Sequence, residues 1–109
     1  MAITYGIIGT ALNPAATTET EFIVCPVGHE YTGTVRICNI GTVSADYRLA
    51  HTPVAGAANS EDWDAYDTEL EPGETDDLTM EMAAGETLRV YASNSNFSFK
   101  FSGMDIDNA

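Results

Sequence analysis

Phe97-Ser98-Phe99-Lys100-Phe101-Ser102 places three aromatic rings on one parity and three polar groups on the other. A period of two belongs to a strand with one buried and one wet face. The three rings are therefore assigned to a core. Working back from this stretch, Leu88-Arg89-Val90-Tyr91-Ala92 reads as the strand before it, with Asn94-Ser95-Asn96 as the turn between. Leu78, Met80 and Met82 point inward against Thr79 and Glu81. Trp63 to Thr68, Tyr47 to His51 and Thr34 to Cys38 read as further strands, as do the apolar run Phe22 to Cys25 and the opening Ile3 to Ile8. Gly6 and Gly9 mark places where another backbone can come close. Past Gly103 the apolar positions shift to Met104 and Ile106, which predicts a bulge, and the tail from Asp105 is expected to fray.

Turn chemistry punctuates these runs. Glu71-Pro72-Gly73-Glu74 has Pro and Gly in the central positions of a type II turn, and Ala84-Gly85-Glu86-Thr87 echoes Pro72-Gly73-Glu74-Thr75. The segment Ala55 to Glu61 is a short helix or a long excursion, and the loop best suited to touch a partner. About eight short strands at this spacing predict an all-β fold, an antiparallel β-sandwich of jelly-roll or Ig-like type. The whole chain, residues 1–109, is expected to form one such domain.

Composition limits the partners. Hydrophobic content of 44% suits a folded globule, but 17 acidic residues against four basic ones give a formal net charge of −13. No basic residue lies between Arg48 and Arg89, whereas Glu61, Asp62, Asp64, Asp67, Glu69, Glu71, Glu74, Asp76, Asp77, Glu81 and Glu86 do. Such a field repels nucleic acid and anionic lipid, so neither is an expected partner. It solubilises the chain, and it also suits docking on a basic protein surface. The opening residues show no secretory signal, and no apolar run is long enough to span a bilayer.

Motifs for chemistry are sparse. Cys25 and Cys38 lack the close pairing of a zinc site. Turn residues between Gly28 and Gly33 could bring them face to face across a hairpin, but without an export signal two reduced, buried thiols are the favoured reading. Asp62, Asp64 and Asp67 surround Trp63 and Tyr66 without the glycine and terminal glutamate of a calcium loop. They read as a solvated strand edge, with no metal, and paired acids alone are too common here to mark a glycosidase. His29 and His51 belong to no nucleophile motif, so no catalytic residue and no cofactor site are assigned.

Trp63 and Tyr66 are three apart and face opposite sides of a plain strand, unless a bulge intervenes. Core packing is the ordinary role for Trp63. An exposed aromatic beside the acidic loop would instead anchor a protein or stack on a sugar.

The chain resembles a family of small virion proteins of tailed bacteriophages. The residues that carry the likeness are Val35-Arg36-Ile37-Cys38-Asn39-Ile40-Gly41, Ala45-Asp46-Tyr47-Arg48-Leu49-Ala50, Ala65-Tyr66-Asp67-Thr68, Leu88 to Ser93, and Phe97-Ser98-Phe99 with Gly103. It runs from about Ile3 to Ile106, and the acidity between Ser60 and Asp77 departs from it. It implies a non-enzymatic structural protein of the virion, assembled in the host cytoplasm. Such a subunit would be a homo-oligomer, with a trimer suited to a lattice threefold, docked on the capsid as a decoration or cement protein or on the neck or tail. The expected partners are other virion proteins, and the candidate interface is Ile3, Tyr5, Trp63, Tyr66, Asp62 and Asp64. The alternative is a carbohydrate- or receptor-binding β-sandwich module using Trp63, Tyr66 and the acidic loop.

Overall fold

The alternation of Phe97, Phe99 and Phe101 resolves into the central ladder of one of two packed sheets. The computed structural model describes residues 1–108. The described strands are β1 (Ala2–Leu12), β2 (Thr20–Val24), β3 (His29–Asn39), β4 (Ala45–Thr52), β5 (Trp63–Leu70), β6 (Thr75–Met82), β7 (Thr87–Ala92) and β8 (Phe97–Asp107). One antiparallel sheet has the order β1-β8-β3-β6, the other β2-β7-β4-β5. This interleaving, in which each sheet takes alternate strands of a wound hairpin, is the jelly-roll form of the sandwich.

The core follows from the parity of each strand. All three Phe rings of β8 are fully buried, with Val35 and Ile37 of β3 facing Tyr47, Leu49, Leu88 and Val90 of the other sheet. Phe99 meets Phe22 at 6.2 Å and Tyr47 at 6.4 Å between ring centroids, so its ring ties the two sheets together. Burying rings of this size contributes a few kcal/mol each, about 1.5–3 by area alone.

Two polar side chains fasten the ends of this core. Asn39 is fully buried and donates to the carbonyls of Val43 and Leu70, both at 2.9 Å, while its oxygen accepts from Gly41 N at 2.9 Å. Tyr47 Oη donates to Asp76 at 2.7 Å, and burial, then that carboxylate, pushes its phenol well above the ordinary range. Turn chemistry is repeated as read: Gly73 has φ +82 with Glu74 N bonded to Glu71 O, and Gly85 has φ +85 with Glu86 N bonded to Ala83 O. In both turns the glutamate side chain accepts from the first residue's N–H, at 2.7 and 2.8 Å.

Several local expectations are corrected. β2 and β3 lie in different sheets, so the hairpin that would bring the cysteines together does not form. Both thiols are free: Cys25 is buried, while Cys38, between the inward residues Ile37 and Asn39, is only half-buried. β3 starts at His29 rather than Thr34, because the turn ends at Gly28, where Pro26 O accepts from His29 N. No bulge occurs at Gly103. The β3/β8 register runs unbroken from His29↔Asp107 to Asn39↔Phe97, and the tail is held as far as Asn108, whose N bonds to Gly28 O at 2.7 Å, while Ala109 lies outside the described residues.

The change of character at Gly103 has a different cause. Gly6, Gly103 and Gly33 stand side by side across β1, β8 and β3. Gly103 has φ +155, and a Cβ there would lie 2.2 Å from Thr32 O. A row of residues without side chains lets the three backbones crease together. Beyond it, β1, β8 and β3 continue as an extension of the sheet, in a molecule measuring 45 × 27 × 18 Å.

The lateral edges of the sandwich differ in charge. β5 and β6 bound one side and carry most of the acidic stretch, whereas β1 and β2 meet on the other. β1 itself has no charged side chain.

Candidate functional site

Trp63 and Tyr66 lie on the same outer face because one of two irregularities in the β4/β5 ladder, the extra residue Asp64, falls between them. Tyr47 pairs with Thr68 and Leu49 with Ala65, so Tyr66 and Asp67 together oppose Arg48. The next step, Leu49 to Ala50, spans Ala65 to Trp63 and leaves Asp64 as a second extra residue. Each two-against-one step shifts the side-chain parity. Asp67 takes the strain, with φ +49. The two rings that plain alternation would separate therefore meet edge to face, with centroids 5.3 Å apart.

Arg48 occupies the centre of this group. Its guanidinium carbon lies 4.0 Å from the Tyr66 ring, 4.1 Å from Tyr91 and 5.9 Å from Trp63. Tyr91 reaches it because Arg48 and Tyr91 are direct partners in the β4/β7 ladder. Asp67 accepts from Arg48 Nε at 2.6 Å and Nη2 at 3.2 Å. This fork holds the Asp67 carboxyl below the usual carboxylate range. The cation is thereby pinned between two phenol rings with its charge answered locally.

A cleft of about 320 Å³ opens beside the cluster, lined by Ser60, Trp63 and Tyr66. Trp63 is half-buried rather than part of the core, and Tyr66 is 56% exposed. The long excursion after β4 ends in a single 3-10 turn, Ser60–Asp62, where Asp62 accepts from Asn59 N at 2.8 Å. Asp64 follows, its carboxyl pushed up first by burial and then by neighbouring Asp62, against the pull of His51. Chemically the group offers flat aromatic surface and a charge-balanced cation.

Ile3 and Tyr5 are elsewhere. They sit on β1, at the opposite lateral edge and in the other sheet, so the six candidate residues form two separate surfaces. On β3, Val35 and Ile37 face inward and Thr34 and Arg36 outward, which fixes the outer face. Cross-strand pairs share a face, and Tyr5-Met104-Thr32 and Ile3-Ile106-Glu30 continue the outward parity. Ile3 and Tyr5 are thus outward residues, followed along β1 by Ile7, the partner of Ser102.

Both histidines are paired with acids near the same end of the sandwich. His29 Nδ1 lies 2.8 Å from Asp105, and His51 Nε2 lies 2.8 Å from Glu86. The Asp105 carboxylate raises the His29 pKa above its ordinary value. Cys25 is shielded: burial first, then Asp105 and Glu86, push its thiol up, which opposes thiolate formation. Among the described residues no three His, Cys, Asp or Glu side chains converge as metal ligands.

Arg48 and Tyr91 were not singled out from the sequence; they share the outward parity of their strands, but only the ladder register makes them neighbours. Asp67 was read with Asp62 and Asp64 as a solvated strand edge, and its pairing with Arg48 was not legible there.

No family model and no curated protein matches the chain. Among solved structures it is similar to the Clostridium thermocellum N-terminal endo-1,4-β-D-xylanase 10B, CBM22-1-GH10 modules complexed with xylohexaose. Identity is 14% over 93% of this chain and 22% of that chain, with a TM-score of 0.46. At that identity and superposition the likeness lends no function to this chain.

Proposed function

We propose that the chain is a non-catalytic assembly module, a structural subunit that docks on a protein lattice. The virion of a tailed bacteriophage, at the capsid or at the neck or tail, is the setting that the resemblance implies. The observation that carries the reading is the outer stripe of β1, where Tyr5 is 75% and Ile7 66% exposed on a strand with no charge. Large apolar groups aligned on one exposed strand mark an interaction surface. The acidic β5/β6 edge supports the same reading, since a net charge of −13 keeps free copies dispersed until a complementary surface is offered. Co-sedimentation with tailed-phage particles assembled without this chain tests it. Saturable binding that weakens on Tyr5→Lys is expected, and no binding to any particle surface overturns it.

A second reading, a carbohydrate-binding module, is favoured by one observation: the cleft between Trp63 and Tyr66, whose rings are held rigidly by Arg48. A glycan array read alongside Trp63→Ala decides it. Specific sugar binding lost in that variant would replace the first reading.

A further inference from the structure

β1 is an edge strand of 11 residues whose second side pairs in a ladder with no other described strand. Natural sheets blunt such edges with charge, proline or a cover. Here Ala2 to Thr18 contains no acidic or basic side chain, and its proline, Pro14, lies beyond the strand. One blunting device is present, a bulge at Ile8 between the pairs Ile7↔Ser102 and Gly9↔Phe101. It leaves the stretch Ala2 to Ile7 as an uninterrupted open ladder. Ile3 (44% exposed), Tyr5 and Ile7 stand outward along it, and Met104 and Ile106 of β8 widen the stripe.

Charge selects the occupant. Two copies carrying −13 each repel wherever their acidic surfaces approach, and β5 and β6 place much of that charge on the opposite side of the sandwich. The uncharged β1 edge is where two such copies come together with least repulsion. A basic partner, by contrast, finds no acid on this strand to recognise. A strand is also self-complementary in the antiparallel sense: a two-fold axis normal to the sheet sets it against its own copy and keeps the same face outward on both. The two apolar stripes then merge into one.

We propose that two copies of this chain pair through β1, antiparallel over Ile3 to Ile7, joining their four-stranded sheets into one continuous sheet. The pairing sets outward residues of one copy beside outward residues of the other, so Tyr5 faces the Tyr5 of the second copy across the seam and Ile3 faces Ile7. The inference deepens the assembly reading and rests on it, yet its test uses the chain alone, so the two can fail separately.

Sedimentation equilibrium of the intact chain from micromolar to near-millimolar concentration reads the dimer. Added salt screens the mutual repulsion and should tighten it. Tyr5→Lys and Ile7→Lys, both at exposed positions, should each weaken self-association at least about tenfold, because each places two like charges at the seam. Val43→Lys, in the loop at the other end of the sandwich, should leave it unchanged. Amide exchange along β1 should slow as concentration rises. A monomer throughout in high salt, a dimer unmoved by Tyr5→Lys, or a dimer whose β1 amides exchange at an unchanged rate would each overturn the proposal. Failure to bind particles by a chain that does dimerise this way would count against the assembly reading alone.

Discussion

Phe99 is the residue on which the two sheets converge, fully buried and in ring contact with Phe22, Tyr47 and Phe97. Phe99→Ala should destabilise the fold by about 3–5 kcal/mol, through lost burial and the cavity left behind. A urea midpoint close to wild type would show that the ring is not a keystone. His29 makes a prediction with a sign. Its pKa is raised above 6.5 by Asp105, so the contact stabilises the fold fully below that value. The contribution is lost as pH rises through the raised folded-state pKa. The denaturation midpoint should therefore fall across neutral pH more in wild type than in His29→Gln, and identical pH profiles would dismiss the linkage. Asn39 illustrates what residue type alone conceals. At the end of β3 it is a buried hub with three hydrogen bonds, because a side chain of its length reaches the carbonyls of Val43 and Leu70 only after β3 and β5 have docked.

Among elements, the crease across β1, β8 and β3 is the feature most sensitive to a single atom. A Cβ on Gly103 would sit 2.5 Å from the Gly33 Cα, and the backbone there is at φ +155. Gly103→Ala combines strain with a clash and should cost about 2–4 kcal/mol, adding a strained conformation to overpacking. Gly56→Ala, in open space on a loop, is the comparison; equal thermal midpoints for the two variants would mean that the crease is not constrained. The shift of apolar positions after Gly103 was visible in the sequence, but its cause was not. A bulge and a glycine row both disturb the strand pattern, and only the partners Gly6 and Gly33, distant in sequence, tell them apart. The β4/β5 ladder carries the same lesson. Trp63 and Tyr66 share a face because Asp64, between them, is an extra residue, and an extra residue is defined only against the strand opposite.

For the molecule as a whole, unequal charge on the two edges shapes behaviour. Arg36, Arg48 and Arg89 are each engaged by an acid, Asp77, Asp67 and Glu19, which leaves the excess of acids to repel one another. Raising ionic strength should lift the thermal midpoint by weakening this self-repulsion. A midpoint that falls with salt would mean that the three pairs outweigh the repulsion. An exposed pair such as Arg36–Asp77 is worth about 0–1 kcal/mol, too little to reverse the trend.

By itself the sequence determined the class of fold and the inward set. Period-two alternation is a local property, and Phe97, Phe99, Phe101, Val35 and Ile37 each declare their face within a few residues. It also determined the turn conformations, since Pro72, Gly73 and Gly85 act on their own backbone. Tertiary structure alone decided which strands pair, and with that the separation of Cys25 from Cys38, the glycine crease, the Arg48 sandwich between Tyr66 and Tyr91, and the bare edge of β1. Ladder partners come from positions far apart in the chain, and their contacts depend on register, which no local pattern contains.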